Sequence, residues 1–524
     1  MKFADRHQPG SFSAENHFYP EALNKFLCSE VKAFLKLGNE LIAQRYCYLH
    51  PTTNYNRLYT LMNTRPSLLQ LSGTDLLHVT DQNQQKQIIL IETNSCPSGQ
   101  KSMPTDTYVD NDSGYHKFVR LTFLTAVKKA QQSNRLLENG YLAVVYDKNP
   151  IENLGYATAM ADVFGETVYS VEFHSCDSDP PVKFIDQIMF VRDSNSKWLP
   201  IRAAFRYITQ TPWLCIPVQS KTLIINPIIA CLAGGRNKNI ADYAYQVFNK
   251  EYEPFGLRIR TPHTIRNVLK SDVPRLIESL GGHAVVKVPY SNAGQGVFTI
   301  TNKQESEKFM QMPEYYEKYI VQSLVGSSKW IRGNKVLNTK DYYHIGMRPI
   351  NRKEVFVADL RMQVCGTEIG FQPLAIYGRR AAVPLSDQLG EDDDSWLVLG
   401  TNLSCKDGDG KWRTETDRLV VMDSNGWNQL GLTMDDLIDG YVQAVLATTA
   451  IDCLAQQLIN QKVYIGDVDI GTCVRKLTAL ALLPVYKVQV TFNELRTNSS
   501  DNVKEMLHQL FLYFNNQWMK EILL

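Results

Sequence analysis

The segment AVVKVPYSNAGQGVFTI, Ala284 to Ile300, sets a lysine inside a run of valines. Val285, Val286 and Val288 have the β-branched character of a buried strand, and a second such run, Val297 to Ile300, follows a loop of small residues. The pattern predicts a β-hairpin. A lysine in a buried strand needs a partner or an exit to solvent. Gly294 and Gly296 permit positive φ and close backbone approach. The loop Ser291, Asn292, Ala293, Gly294, Gln295, Gly296 can therefore turn N–H groups inward around a polyphosphate, with Lys287 meeting it as a point charge. Taken alone, the segment reads equally as a polar hairpin loop beside an edge-strand lysine. It matches neither GxxxxGK[ST] nor GxGxxG.

The flanks add context. Upstream, Asn237-Lys238 opens a helix that leads to Thr261-Pro262. Downstream, YIVQSLVG (Tyr319 to Gly326) predicts a strand running into a short hinge, where Gln322, Ser323, Leu324 and Val325 can offer backbone groups to an adenine ring. Nearer the N-terminus, residues 1–70 read mainly as helix, with Phe26, Val31, Phe34, Leu35 and Leu41 at helical spacing. Residues 75–79 and 87–92 then predict a hairpin turning over 80–86. Between 115 and 235, strands at 141–146, 167–173 and 187–191 and a helix at 154–164 predict a parallel α/β unit. Several antiparallel strands are expected over 355–385, a long amphipathic helix over 437–458, a strand over 463–470 and a terminal helix over 503–523.

The chain has 524 residues, of which 44% are hydrophobic and 21% charged, as in an ordinary soluble multidomain protein. A net charge of +1 provides no global field toward nucleic acid or an anionic membrane, and no basic–aromatic interleaving is seen. Apolar stretches such as 477–490 are broken, so no stretch is expected to approach the ~20 residues of a membrane span. No N-terminal apolar region is present, and the ten cysteines form no CxxC, which together predict a cytoplasmic protein. Neither HExxH nor GxSxG occurs. The acidic run Glu391 to Asp394 reads as a solvated loop. Arg379 and Arg380 read either as holders of an anionic substrate or as a surface pair. Oligomeric state is not fixed by the sequence.

A helix-opening lysine, a strand lysine, a small-residue loop and a hinge, in that order, resemble the ATP-grasp superfamily. Asp359-Leu-Arg361-Met-Gln-Val364 is similar to the strand where such enzymes place a phosphate-contacting arginine, and Thr401-Asn402-Leu-Ser404 to their loop near the γ-phosphate. The resemblance spans about residues 230–470. Magnesium ligands in that superfamily are an acidic residue on one strand and Glu-x-Asn on the next, oxygen donors suited to a hard cation. The best match here is N-terminal: Asp75, then Glu92-Thr-Asn94. The run ETNSCPSGQKSMP that follows is similar to D-alanine–D-alanine ligases, which implies that Ser98, Gly99 and Ser102 hold an acceptor carboxylate. Glu-x-Asn ahead of the phosphate loop resembles eukaryotic glutathione synthetases and glutathionylspermidine synthetases, which are circularly permuted. One departure is Ser291, where those enzymes carry a glutamate ligand. Asp467 or Asp469 is the competing acidic ligand.

The expected fold is α+β, a permuted ATP-grasp with an inserted α/β substrate unit. Its expected parts are 1–114 (helical region and metal hairpin), 115–235 (substrate unit), 236–330 (small lobe), 331–470 (large lobe) and 471–524 (extension). The resemblance implies ATP and about two Mg²⁺ ions. Lys238, Lys287, the loop and the hinge would bind the nucleotide, with Arg361 and Lys287 acting in catalysis. Ser98, Gly99, Ser102, Arg379 and Asn402 would bind substrate. The implied reaction is ADP-forming ligation of a small-molecule carboxylate to an amine or thiol through an acylphosphate. The alternatives are a non-catalytic ATP-binding interaction protein and a ligase acting on a protein acceptor.

Overall fold

The computed structural model of the chain describes residues 2–81, 83, 85–104, 113–174, 177–208, 216–290, 294, 296–314, 316, 318–326, 342–344, 354–386, 389, 394–406, 412–460, 464–465 and 468–469. It is a mixed α+β fold with several sheets. The hairpin expected over 284–300 forms, Ala284–Lys287 against Val297–Ile300. It belongs to a four-stranded antiparallel sheet with Tyr319–Ser323 and Thr264–Val268, the last a strand not anticipated from sequence. Ala284, Val286 and Val288 bury into this sheet's own core, so the alternation of a strand sends Val285 and Lys287 to the opposite face.

A second antiparallel sheet unites distant parts of the chain. Leu71–Asp81 pairs with Lys86–Asn94 on one edge and with Ala358–Thr367 on the other, and Gly370–Arg380 continues the sheet. Alternation gives it two unlike faces. Leu76, Ile88 and Met362 reach Gly440 of the helix Met434–Asn460. The opposite face carries Asp75, Glu92, Asp359, Arg361, Tyr377 and Arg379. A β-bulge lies between the pairs Asp75–Glu92 and Leu76–Leu90, leaving Ile91 as the extra residue and re-aiming Glu92.

The helix Met434–Asn460 differs from the amphipathic element expected. It is long and apolar enough by length and composition to cross a membrane, contrary to expectation, but 89% of its most apolar window is buried within the protein. Its polar residues serve the interior. Asp452 accepts from the N–H groups of Ser67, Leu68 and Leu69, and Asp439 accepts from Ile88 N–H and pairs with Arg260. A helix covered on all sides loses the polar face that periodicity looks for. The strand expected over 463–470 is instead a short hairpin, Tyr464–Ile465 with Val468–Asp469. The terminal helix expected over 503–523 and the loop residues 391–393 lie outside the described residues. Asp394 caps the helix Ser395–Leu399 through Trp396 N–H.

The third sheet is mixed. Val168–Glu172, Tyr141–Tyr146, Trp198–Tyr207 and Leu223–Ile225 run parallel in that spatial order. Of the three strands expected to be parallel, those at 141–146 and 167–173 are, whereas the one at 187–191 is antiparallel because it returns directly into Trp198–Tyr207. Asp5–His7, Ile188–Arg192 and Val182–Ile185 extend it antiparallel. The long strand Trp198–Tyr207 escaped the sequence reading because Pro200, Arg202 and Arg206 interrupt its apolar run.

Candidate functional site

The three sheets meet at one cleft, about 1720 Å³ counted out to its open mouth. The small sheet contributes Val285, Lys287, Val297 and Thr299, and the hinge contributes Gln322, Ser323, Leu324 and Val325. Opposite lies the polar face of the second sheet. The carboxyl ends of the parallel strands close the far end with Lys148, Asn149, Tyr207 and Ile208. Six cationic side chains (Lys101, Lys148, Arg236, Lys287, Arg361, Arg379) face three carboxylates (Asp75, Glu92, Asp359). Such a cleft attracts an anion, and its low-dielectric walls strengthen the attraction.

The helix Lys238–Tyr252 begins where Asn237 caps it, the Asn237 side chain accepting from Asn239 and Ile240 N–H. The same side chain donates to the Tyr290 hydroxyl at 2.5 Å, and Lys238 N–H donates to Pro289 O at 3.0 Å. Asn237 and Lys238 thus tie the helix start to Pro289 and Tyr290, where the glycine loop begins. Of that loop, Gly294 and Gly296 are described, both at positive φ (+73° and +65°). A Cβ on Gly294 would come 2.7 Å from the Trp396 ring. Ser291, Asn292, Ala293 and Gln295 lie outside the described residues. Lys287 is 5% exposed. Burial pulls its ammonium down to about 8; Glu92 opposes that shift and Lys238 adds to it. Burial likewise lowers Lys238, against the pull of Glu92.

Glu92, on the second sheet's strand Lys86–Asn94, faces the two lysine-bearing elements. Its carboxylate lies 3.7 Å from Lys238 Nζ and accepts from Asn94 Nδ2 at 3.1 Å. Burial would raise its carboxyl, but Lys238, Lys287 and the Asn94 bond outweigh burial and Asp75 to hold it below the usual range.

Asp75, expected beside Glu92 as a metal ligand, is engaged differently. Arg361 donates to both its oxygens at 2.6 Å, and Arg379 Nη2 lies 2.9 Å from Oδ2. Burial works against ionisation, yet the guanidinium groups of Arg361 and Arg379 hold the carboxyl at about 2. Cross-strand register explains the pairing: Arg361 lies directly opposite Asp75, and Asp359 opposite Arg379. Arg379 also pairs with Asp359, which accepts from the Thr401 hydroxyl at 2.9 Å. Arg361 and Arg379, expected to meet phosphate and substrate, therefore line the cleft as members of a carboxylate–guanidinium row. Arg380 leaves that row. It stacks over Phe356 and approaches Asp417, as alternation requires.

The loop expected to hold an acceptor carboxylate already holds one from the protein. Glu152 accepts from Ser98 Oγ at 2.6 Å, Gly99 N–H at 2.8 Å and Gln100 N–H at 2.9 Å, with Lys101 Nζ 4.0 Å away. Glu152 lies in the first turn of the helix Pro150–Phe164 and is fully buried. Ser98 and Gly99 are thus spent on an internal anion. Ser102 is buried at the cleft wall, and Asn402 donates to Ser404 O at 2.8 Å close to Gly294. The competing ligand Asp467 lies outside the described residues, and of Asp469 only the backbone is described.

Sequence reasoning missed Lys148, Glu152, Arg236, Asp359, Tyr377 and Trp396. A signal existed for two of them. Asp147-Lys148-Asn149-Pro150 sits where a parallel strand ends and a helix begins, a common place for ligand contacts, and Asp359 alternates in phase with Arg361. For Tyr377, whose hydroxyl donates to Ser98 O at 2.9 Å, no local signal exists.

No family model and no curated protein matches the chain. Among solved structures it is similar to a glutathione synthetase-like effector from Globodera pallida, at 9% identity over 67% of this chain and 82% of that one, with a TM-score of 0.35. It is also similar to a RimK domain ATP-grasp protein from Sphaerobacter thermophilus, at 12% identity over 45% of this chain and 90% of that one, with a TM-score of 0.27. Likenesses this partial do not bear on the chemistry of the cleft.

Proposed function

We propose that the chain is an ATP-grasp-like, ADP-forming carboxylate–amine (or carboxylate–thiol) ligase of permuted order. The observation that carries this reading is the meeting, in one cleft, of Lys238 and Lys287 with the Glu92–Asn94 pair of a different sheet. Permutation is supported by the pairing of an N-terminal hairpin with strands nearly 300 residues away, as in Arg361 with Asp75 (|i−j| = 286). In this reading residues 236–330 are the small lobe, 331–470 with 1–114 the large lobe, 115–235 the substrate unit and 471–524 an extension.

Lys287 and Lys238 hold the α- and β-phosphates, and the glycine loop covers them. The hinge residues Gln322 to Val325 receive the adenine. Glu92 and Asn94 present carboxylate and amide oxygens, a donor set that fits Mg²⁺. Asp75 does not fit while both its oxygens accept from guanidinium groups, so we assign it to orienting Arg361. Bound Mg²⁺ would offset charge on the β- and γ-phosphates.

Arg361 faces the equatorial oxygens as a substrate carboxylate oxygen attacks the γ-phosphorus and the β,γ-bridging oxygen leaves with ADP. An amine then attacks the acyl carbon, phosphate departs, and the amine proton passes to solvent. The test is ADP release with a panel of acids and amines, coupled to mass analysis of the product, with Lys287→Ala as the inactive control. Release of AMP and pyrophosphate overturns the reading. Tight nucleotide binding by the wild-type chain with no turnover on any pair would favour the non-catalytic alternative.

A further inference from the structure

The cations of the cleft divide by whether the protein already neutralises them. Arg361 and Arg379 are paired with Asp75 and Asp359, Lys238 with Glu92, and Lys101 approaches Glu152. Lys148 and Arg236 make no direct ion pair among the described residues: the buried Asp147 carboxylate acts on both at longer range, and Arg236 Nε is buried with no hydrogen-bond partner among those residues. One carboxylate beside two largely desolvated cations leaves this end of the cleft net positive, a charge that a bound anion would balance.

Topology places Lys148 at the far end of the cleft, and Arg236 lies between that end and the recess around Lys238, Lys287 and Glu92. The chain leaves Tyr141–Tyr146 through the helix Pro150–Phe164 to Val168–Glu172 on one side, and leaves Trp198–Tyr207 for Leu223–Ile225 on the other. Connections that diverge this way open a crevice beyond the carboxyl ends of the two central strands, where open α/β sheets bind ligands. Lys148 and Asn149 follow the first of these strands, and Tyr207 and Ile208 end the second; all four line the cleft. Asn149 Nδ2 donates to the Tyr207 hydroxyl at 3.3 Å, fixing a neutral polar floor. The alternative anion seat, the loop after Asn94, is filled by Glu152.

We infer that Lys148 and Arg236 form the anchoring site for a carboxylate of the second substrate, an amino acid or short peptide, at the strand-end crevice, with Lys148 at its outer end and Arg236 on the side that adjoins the groups around Lys287. The inference rests on the ligase reading only for the word substrate; the anion site stands on geometry. Burial first, then Arg236, pulls the Lys148 ammonium down to about 8, and Asp147 opposes the shift.

An amine-selective label read by peptide mass analysis on the full chain tests this. Lysines held near 8 react ahead of ordinary surface lysines, so Lys148 and Lys287 label early. Tripolyphosphate is expected to reduce labelling of Lys287 by about tenfold at saturation and to spare Lys148. Amino acids, dipeptides and dicarboxylates at millimolar concentration form the second panel. At least one is expected to protect Lys148 by about tenfold while sparing Lys287, and to lose that protection in Arg236→Gln. Protection of Lys148 by tripolyphosphate and by no carboxylate overturns the inference, as does protection by neither. Protection of Lys148 by a carboxylate, with Lys287 indifferent to tripolyphosphate and ATP, upholds this site while the nucleotide reading fails.

Discussion

Replacing Lys287 by methionine should make the free protein more stable while abolishing its nucleotide binding. The lysine is 5% exposed and its ammonium sits at about 8 rather than 10.5, so holding it charged at neutral pH is unfavourable in the fold. A difference of this size corresponds to on the order of 3 kcal/mol, at about 1.4 kcal/mol for each pH unit. Methionine keeps the length and apolar stem without the charge, so Lys287→Met should gain most of that amount at neutral pH. The sign of the pH dependence follows. Below about 8 both the folded and the unfolded chain carry the proton, and the penalty is present in full. Between about 8 and 10.5 the unfolded chain binds more protons, so wild-type stability rises with pH. The advantage of the variant should therefore shrink across that window. Urea unfolding of both proteins at neutral pH and near pH 10, without nucleotide, measures it. A variant less stable than wild type at neutral pH, or an advantage independent of pH, would refute the idea that Lys287 is a cation only partly compensated by Glu92 and kept for a ligand.

Other outcomes follow from the same geometry. Asp75→Asn leaves Arg361 without its carboxylate in a buried row and should destabilise by about 3–5 kcal/mol. The stability Asp75 contributes is present above its unfolded value of 3.8 and lost as pH falls through about 2, so the variant's acid-unfolding limb should be shallower in a urea series at low pH. Glu152→Gln puts an amide N–H₂ among donors and breaks charge-assisted bonds to Ser98, Gly99 and Gln100. A loss of about 3 kcal/mol in unfolding free energy is expected, and a wild-type melting curve would show that the loop does not depend on that carboxylate. Glu92→Gln should weaken Mg²⁺-dependent nucleotide binding by about tenfold or more while leaving Mg²⁺-independent binding nearly unchanged, measured by titration calorimetry with and without chelator.

The alternation in Asp359-Leu-Arg361-Met-Gln363-Val364 specified by itself a strand with one polar and one apolar face, and the valines around Lys287 a strand with a cation on the face opposite its core. Asn237 announced a helix cap, because an asparagine just ahead of a periodic segment can accept from the next free N–H groups. These are local properties, governed by periods of two and 3.6 residues, and one sequence contains them in full. Partner choice is not local. Asp75 and Arg361 meet because their strands pair in one register, and a shift of one residue would have turned each to the other face. Glu152 fills the loop at Ser98 because a separate helix begins beside it. The long helix looked two-faced in sequence and is buried all round, since its outer neighbours come from segments hundreds of residues away.

The hairpin that opened the reading was therefore legible as a hairpin, and its lysine as a misfit. Only the tertiary structure determined that Lys287 faces a cleft shared by three sheets, and that Lys148 and Arg236 stand in the same cleft with no direct ion pair among the described residues. Burial and pairing are sums over the whole chain, which no short stretch of sequence can contain.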